Sequence, residues 1–402
     1  MKLFRFIWAP LYVIGITTLI SCEPKVTNFT ITTTNSEAFD REAETIEILL
    51  EDIKDFSATD YANLAVLDAE NKEVLSQLID LDQDNVSDYI IFQTNFTANQ
   101  SKAFKIIIQE NKAANSEEAL RTFCRIVPER IDDFAWENDK VAFRTYGPKC
   151  QQLFEEGNPA GLISSGIDCW TKRVDYPIIN KWYKKFGEGI TYHEDHGEGL
   201  DAYHVGTTRG CGGIAIVQGG NYVLSENFNK WKVIANGPIR SVFELEYPSL
   251  TINDAEVKEK KRITLDLGSN LYQNEVFYTS EKTIDTAAIG LALHQGKGKA
   301  ESNVNEGWAL YWEPMAGSEI GTGIITAPKA ITNIVMKDTL AADESLNNLW
   351  LKTKIKENKF SYWAGFGWKK AGEFQSANDW RNYLKQEHLK KANPITVSIA
   401  KK

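Results

Sequence analysis

Short runs of β-branched and aromatic residues recur along this chain, separated by turn-forming residues. Asn28–Thr34, Thr45–Leu50, Tyr89–Thr94 and Ala103–Ile108 form one group, and Ile239–Tyr247, Lys261–Leu267, Thr286–Leu293 and Trp308–Trp312 form another. Side chains branched at Cβ lose rotamer freedom in a helix but pack well on a pleated surface, so such runs specify strands. Helical periodicity is confined to a few places. Pro177–Phe186 has proline at an allowed early position and Gly187 as a stop, and the stretch from Ser376 to Ala392 opens on an N-cap serine. The pattern predicts a mainly β protein with few short helices. A small N-terminal β-sandwich over 22–110 leads into a larger antiparallel β-sandwich or supersandwich region over 111–402, which ends in the C-terminal helix. Residues 111–122 read as a polar linker.

The first 21 residues are set apart from this pattern. Lys2 and Arg5 precede an apolar run to Ile20, and Leu19-Ile-Ser-Cys22 has the form of a bacterial lipobox. Cleavage before Cys22 would leave a lipidated cysteine and 381 residues. The expected location is therefore a bacterial cell envelope, lipid-anchored at the outer membrane and facing the periplasm. The other four cysteines (Cys124, Cys150, Cys169, Cys211) lack CxxC spacing and are read as free buried thiols. The formal charge is −10 and becomes −12 once Lys2 and Arg5 are removed. Such an acidic chain lacks the basic footprint that nucleic acid requires, and it must meet any anionic substrate with local cations. Asp80, Asp82, Asp84 and Asp88 alternate as in a calcium loop. Asn85 replaces the turn glycine, however, and an Asp/Asn-rich turn between strands is the better reading.

Chemistry concentrates between residues 124 and 213. Three of the five histidines (His193, His196, His204) lie within Tyr192-His-Glu-Asp-His-Gly-Glu-Gly-Leu-Asp-Ala-Tyr-His-Val-Gly, followed closely by Arg209. Imidazoles beside carboxylates, Tyr203 and an arginine supply acid, base and anion-binding groups. The same histidines could instead hold a divalent metal, although His-x-x-His in a glycine-rich loop is not the helical zinc pattern. Metal is possible, and no cofactor is the first choice. Arg130, Asp132, Asp133, Trp136 and Asn138 suit a sugar-binding rim or, equally, a salt-bridged sheet edge. Alternation over 140–146 puts Arg144 and Tyr146 on one strand face and Phe143 on the other. Of the adjacent Lys172 and Arg173, only one can face a common site. Trp308–Trp312 and Tyr362–Trp368 could stack on sugar rings, but core packing is the more common fate of such aromatics. Walker, dinucleotide and nucleophile-elbow motifs are absent from the sequence.

Three segments together resemble a known family. They are Val127-Pro-Glu-Arg-Ile-Asp-Asp-Phe-Ala-Trp-Glu-Asn-Asp139, Gly166-Ile-Asp-Cys-Trp-Thr-Lys-Arg-Val-Asp-Tyr-Pro177 and the histidine stretch. They resemble bacterial polysaccharide-utilisation lipoproteins long catalogued as a domain of unknown function, a family that includes an ulvan-oligosaccharide dehydratase of marine bacteria. The resemblance implies a sandwich similar to those of polysaccharide lyases and mutarotases. It also implies removal of water from a saturated uronic acid at the non-reducing end of an oligosaccharide, leaving a 4,5-double bond. The partner would be an anionic, sulfated or unsulfated, uronic-acid oligosaccharide.

That chemistry needs the carboxylate neutralised, a base at C5 and an acid at the departing 4-hydroxyl. Arg209 or Arg130 suits the first task, and His204 or Tyr203 suits the base. The other of that pair, or His193, suits the acid, and Asn138 could hydrogen-bond the enolate-like intermediate. Arg144, Lys172, Trp136 and His196 complete the expected binding set. A uronate lyase, a metal-dependent enzyme at the three histidines and a non-catalytic glycan-binding lipoprotein are the alternatives.

Overall fold

The computed structural model describes residues 28–109, 120–336 and 340–401. The expected signal segment, Cys22 and residues 111–119 of the linker lie outside the described residues. All strand pairings between named strands are antiparallel, and the mainly β sandwich expected from the sequence is what the chain forms.

The N-terminal sandwich packs one sheet of five strands against one of three. Phe29–Thr34 alternates buried and half-buried residues, as period-2 patterning requires. Ile31, Ile46, Ile48, Leu64, Ile90, Phe92 and Ile106 fill the space between the sheets. Here one expected boundary is corrected. The last strand, Thr396–Lys401, leaves the C-terminal region and pairs along the whole of Phe29–Thr34. Its alternating Val397 and Ile399 pack on the N-terminal core, so the first and last strands of the described chain belong to one sheet.

The aspartate-rich segment is a turn that Asp80 and Asp88 brace through main-chain N–H groups of Leu81, Gln83 and Asn85. These backbone bonds are those of an Asp/Asn-rich turn. The Gln83 amide reaches across to the carbonyl of Val233, and Gln77 bonds to Ile239 and Arg240, tying this sandwich to the main one.

The main sandwich sets a five-stranded sheet (Cys211–Gln218, Thr286–Ala292 and Asn348–Lys354 at its centre) against a nine-stranded one. A further five-stranded sheet runs in the order Gly199–Asp201, Asp168–Lys172, Ala142–Thr145, Asp133–Glu137, Phe123–Val127. One face of this sheet (Phe134, Trp136, Phe143, Cys169) joins the main core. The other carries charge. Helix α1 (Pro148–Glu155) was not foreseen, because its polar face masks any apolar period; α2 (Ile179–Gly187) and α3 (Ala377–Ala392) fall where expected. The Ser376 side chain accepts the Asp379 N–H, as an N-cap should. Trp380 and Leu384 of α3 bury Trp308 and Trp312, so those aromatics are core. Cys124, Cys150, Cys169 and Cys211 are buried free thiols.

Candidate functional site

The segment Gly199–Thr208 separates two groups of titratable side chains. The first lies on the charged face of the sheet that begins at Gly199–Asp201. Strand register sets Arg144 opposite Asp168. The buried guanidinium donates from Nε to Asp168 at 3.0 Å, to Asp201 at 3.0 Å and to the Tyr192 hydroxyl at 3.2 Å, and lies 3.5 Å from Asp133. Three carboxylates thus surround one buried arginine. Burial lifts the Asp133 carboxyl to about 6. Burial, reinforced by the charge of Asp168, pushes Asp201 well above the usual carboxylate range. Trp182 and Tyr183 of α2 close this face, with Trp170 stacked against Trp182.

His193 stands at the margin, its Nδ1 3.0 Å from the carbonyl of Asp201 and its side chain 55% exposed. Arg130 donates to the Tyr192 hydroxyl and lies over Phe186. Arg130, Arg144, Tyr192 and His193 therefore do converge. Arg144 is spent on aspartates.

Several expected binding residues are structural, which corrects the reading of them as a sugar rim. Trp136 is fully buried, packed on Phe143, Phe243 and Tyr272. Asn138 donates to the carbonyls of Asp266 and Ser269 and accepts from Lys140 and Val141, leaving nothing for a ligand. The Lys172 ammonium uses its three N–H groups on Glu137, Asn138 and Tyr176. Arg209 lies inside the main sandwich, donating to Ser165 and the Thr207 carbonyl, and burial pulls it down to about 10. It cannot grip a substrate carboxylate from there. His196 is exposed, with Nε2 3.0 Å from the Thr191 carbonyl.

The second group opens on a cleft of about 700 Å³ lined by Ala202, His204, His294, Lys297, Glu313 and Glu344 among others. The His204 imidazole is exposed. Gly206 takes a left-handed backbone (φ +52°) that favours glycine, and a Cβ there would make ordinary contact with His204 Nε2 (3.4 Å) and a Glu344 oxygen (3.7 Å). His294 presents Nδ1 to Glu313 Oε1 at 2.5 Å and Nε2 to the His204 carbonyl at 2.8 Å. Tyr203 meets the His294 ring edge-on, with centroids 4.6 Å apart. Its hydroxyl is buried and burial pushes the phenol well above its ordinary pKa, so Tyr203 is poorly suited to be the base.

His193, His196 and His204 make separate contacts. Among the described residues, only Asp80, Asp82 and Asp88 bring three potential ligand atoms within 4.8 Å of one another. The three histidines offer no preformed metal set.

A larger groove of about 770 Å³ runs between the N-terminal sandwich and α3. It contains none of the expected site residues, and several of its charges pair with each other (Arg240 with Asp266, Lys140 with Glu373, Lys390 with Glu387). His294, Glu313 and Glu344 were missed by sequence reasoning. The first two follow the apolar runs Thr286–Leu293 and Trp308–Trp312 directly, and a titratable residue at the end of such a run was the available signal.

An uncharacterized protein, P7, of Formosa agariphila is 38% identical over 372 residues, covering 92% of this chain and 93% of P7. Among solved structures, a protein in the glycosyl hydrolase family 38 from Enterococcus faecalis matches 94% of this chain with a TM-score of 0.50 at 10% identity. At that identity only the fold is shared, and the match spans about half (48%) of that protein's chain. The family model described as a domain of unknown function, DUF4861, matches residues 33–397, and the chain belongs to that family.

Proposed function

We propose that the His204 cleft removes water from a saturated uronic acid at the non-reducing end of an oligosaccharide, forming a 4,5-unsaturated end. The observation that carries this reading is the exposed His204 imidazole, set in an open cleft beside a second imidazole and two carboxylates. The C5 proton lies alpha to a carboxylate and is a very weak acid, so elimination needs a positioned base and charge neutralisation. His204 is the base in this scheme: it takes the C5 proton and returns it to the departing 4-hydroxyl, which leaves as water while the C4–O bond breaks and the 4,5-double bond forms. Lys297, exposed at the cleft, takes the substrate-carboxylate role for which the sequence offers Arg209 or Arg130. The sharing of this fold with part of a glycosyl hydrolase family 38 protein accords with a carbohydrate substrate.

The test is incubation with uronic-acid-ended oligosaccharides, read by mass and by the absorbance of a conjugated enoate. Loss of one water without chain cleavage supports the dehydratase. Cleavage would make it a lyase, and binding without change a glycan-binding protein. Loss of turnover on chelation would restore the metal reading. We further propose that the chain works tethered through a lipidated Cys22; fatty-acid labelling that survives Cys22→Ser would overturn that part.

A further inference from the structure

His294 holds a backbone conformation that its side chain should disfavour. It follows the strand Thr286–Ala292 at φ +43°, in the left-handed region where a residue with a Cβ is strained by about 1–3 kcal/mol. Something must hold it there. The imidazole bonds at both ends, Nδ1 to the Glu313 carboxylate and Nε2 to the main-chain carbonyl of His204. Both partners are oxygen acceptors. A neutral imidazole carries one N–H and one lone pair, so it can satisfy only one of them and would set lone pair against lone pair at the other. Glu313 is itself 5% exposed, and a carboxylate so buried is stabilised by an adjacent cation.

We propose that His294 is a doubly protonated clamp, charge-balanced by Glu313, that positions the base His204 by gripping its carbonyl. Nε2–H fixes the His204 backbone, Nδ1–H anchors the ring to the strand carrying Glu313, and the Tyr203 edge blocks the ring from turning away. His294 acts through His204 and is a positioning residue. The inference rests on the dehydratase reading for its kinetic arm only.

The left-handed backbone supplies a clean test. In His294→Gly the backbone is relieved of strain while a hole opens between Glu313 and the His204 carbonyl. Its melting temperature should lie above that of His294→Ala, which loses the same contacts but keeps the left-handed backbone on a residue with a Cβ. Its kcat should fall by about 10²-fold with little change in KM, the scale expected when a catalytic group is displaced by about 1 Å. Added imidazole and 4-methylimidazole, which can donate from both nitrogens once protonated, should restore turnover. 1-Methylimidazole has only one nitrogen able to carry a proton and should not; equal rescue by all three would overturn the double-donor clamp. The same claim is read without substrate. Ring ¹⁵N spectra of the unliganded wild type at neutral pH should show His294 with a proton on each nitrogen, a signature lost in Glu313→Gln. A single-proton tautomer in the wild type refutes the proposal whatever the substrate. Wild-type protein inert on uronate-ended oligosaccharides, but with the two-proton signature intact, refutes the reaction and leaves the clamp.

Discussion

Asp201 and His204 are three residues apart, yet they belong to opposite kinds of site. At Asp201 the chain turns its polar groups inward, where Arg144 sits among three carboxylates beneath α2. At His204 it turns them outward into a cleft. Both regions contain an aromatic residue, a histidine and acidic groups, so composition does not distinguish them. Solvent access does. In the buried cluster the guanidinium and the carboxyls are committed to one another, and loss of the guanidinium leaves them without a partner in a low dielectric. In the cleft one imidazole is held by its neighbours while the other stays free to meet a ligand.

The sharpest way to break this contrast is to remove one residue from each side. His204→Ala should lower turnover by about 10²–10⁴-fold with the melting temperature unchanged. Kinetics within an order of magnitude of wild type would remove His204 from the chemistry. Arg144→Met should do the reverse and destabilise by about 3–5 kcal/mol in chemical denaturation, because the buried carboxyls lose the guanidinium that pairs with them. Near-wild-type stability there would mean that the aspartates are already neutral.

Asp133 sharpens the comparison through pH. Its carboxyl titrates near 6 when folded against 3.8 in the unfolded chain, so the folded state keeps a proton that the unfolded state has released. Stability from this group should therefore fall as pH rises from about 4 to 6, by at most about 3 kcal/mol. Asp133→Asn should flatten that slope, as measured by denaturation at several pH values. The smallest effect belongs to His196, whose ring touches only a loop carbonyl. His196→Ala should change stability by less than about 0.5 kcal/mol and rate by less than about twofold.

Much of this architecture was legible in the sequence because it is local. Phe29–Thr34, Ala103–Ile108 and Thr286–Leu293 announce their strands by composition, and Ser376 announces its helix. Alternation likewise put Arg144 and Phe143 on opposite faces. Burial of the polar residues was not legible. Nothing near Trp136 or Asn138 says that another sheet covers one and that carbonyls from residues 266 and 269 saturate the other. The cleft depended on still longer reach. His294 and Glu313 come together only after their strands take their places in opposing sheets, and His204 arrives from a third element. A sequence window that contains three histidines therefore drew notice, while the fourth lay 90 residues further on.

The pairing of Thr396–Lys401 with Phe29–Thr34 bears on how the protein comes to be made. Phe29–Thr34 is synthesised before Thr396–Lys401, and its sheet is complete only when both segments are present. Until then Phe29–Thr34 is itself the open edge of its sheet, with unpaired N–H and C=O groups, and the N-terminal core lacks the cover of Val397 and Ile399. Removal of Thr396–Lys401 would leave the cleft's residues intact but Phe29–Thr34 exposed, and the shortened protein should aggregate more readily than the full chain.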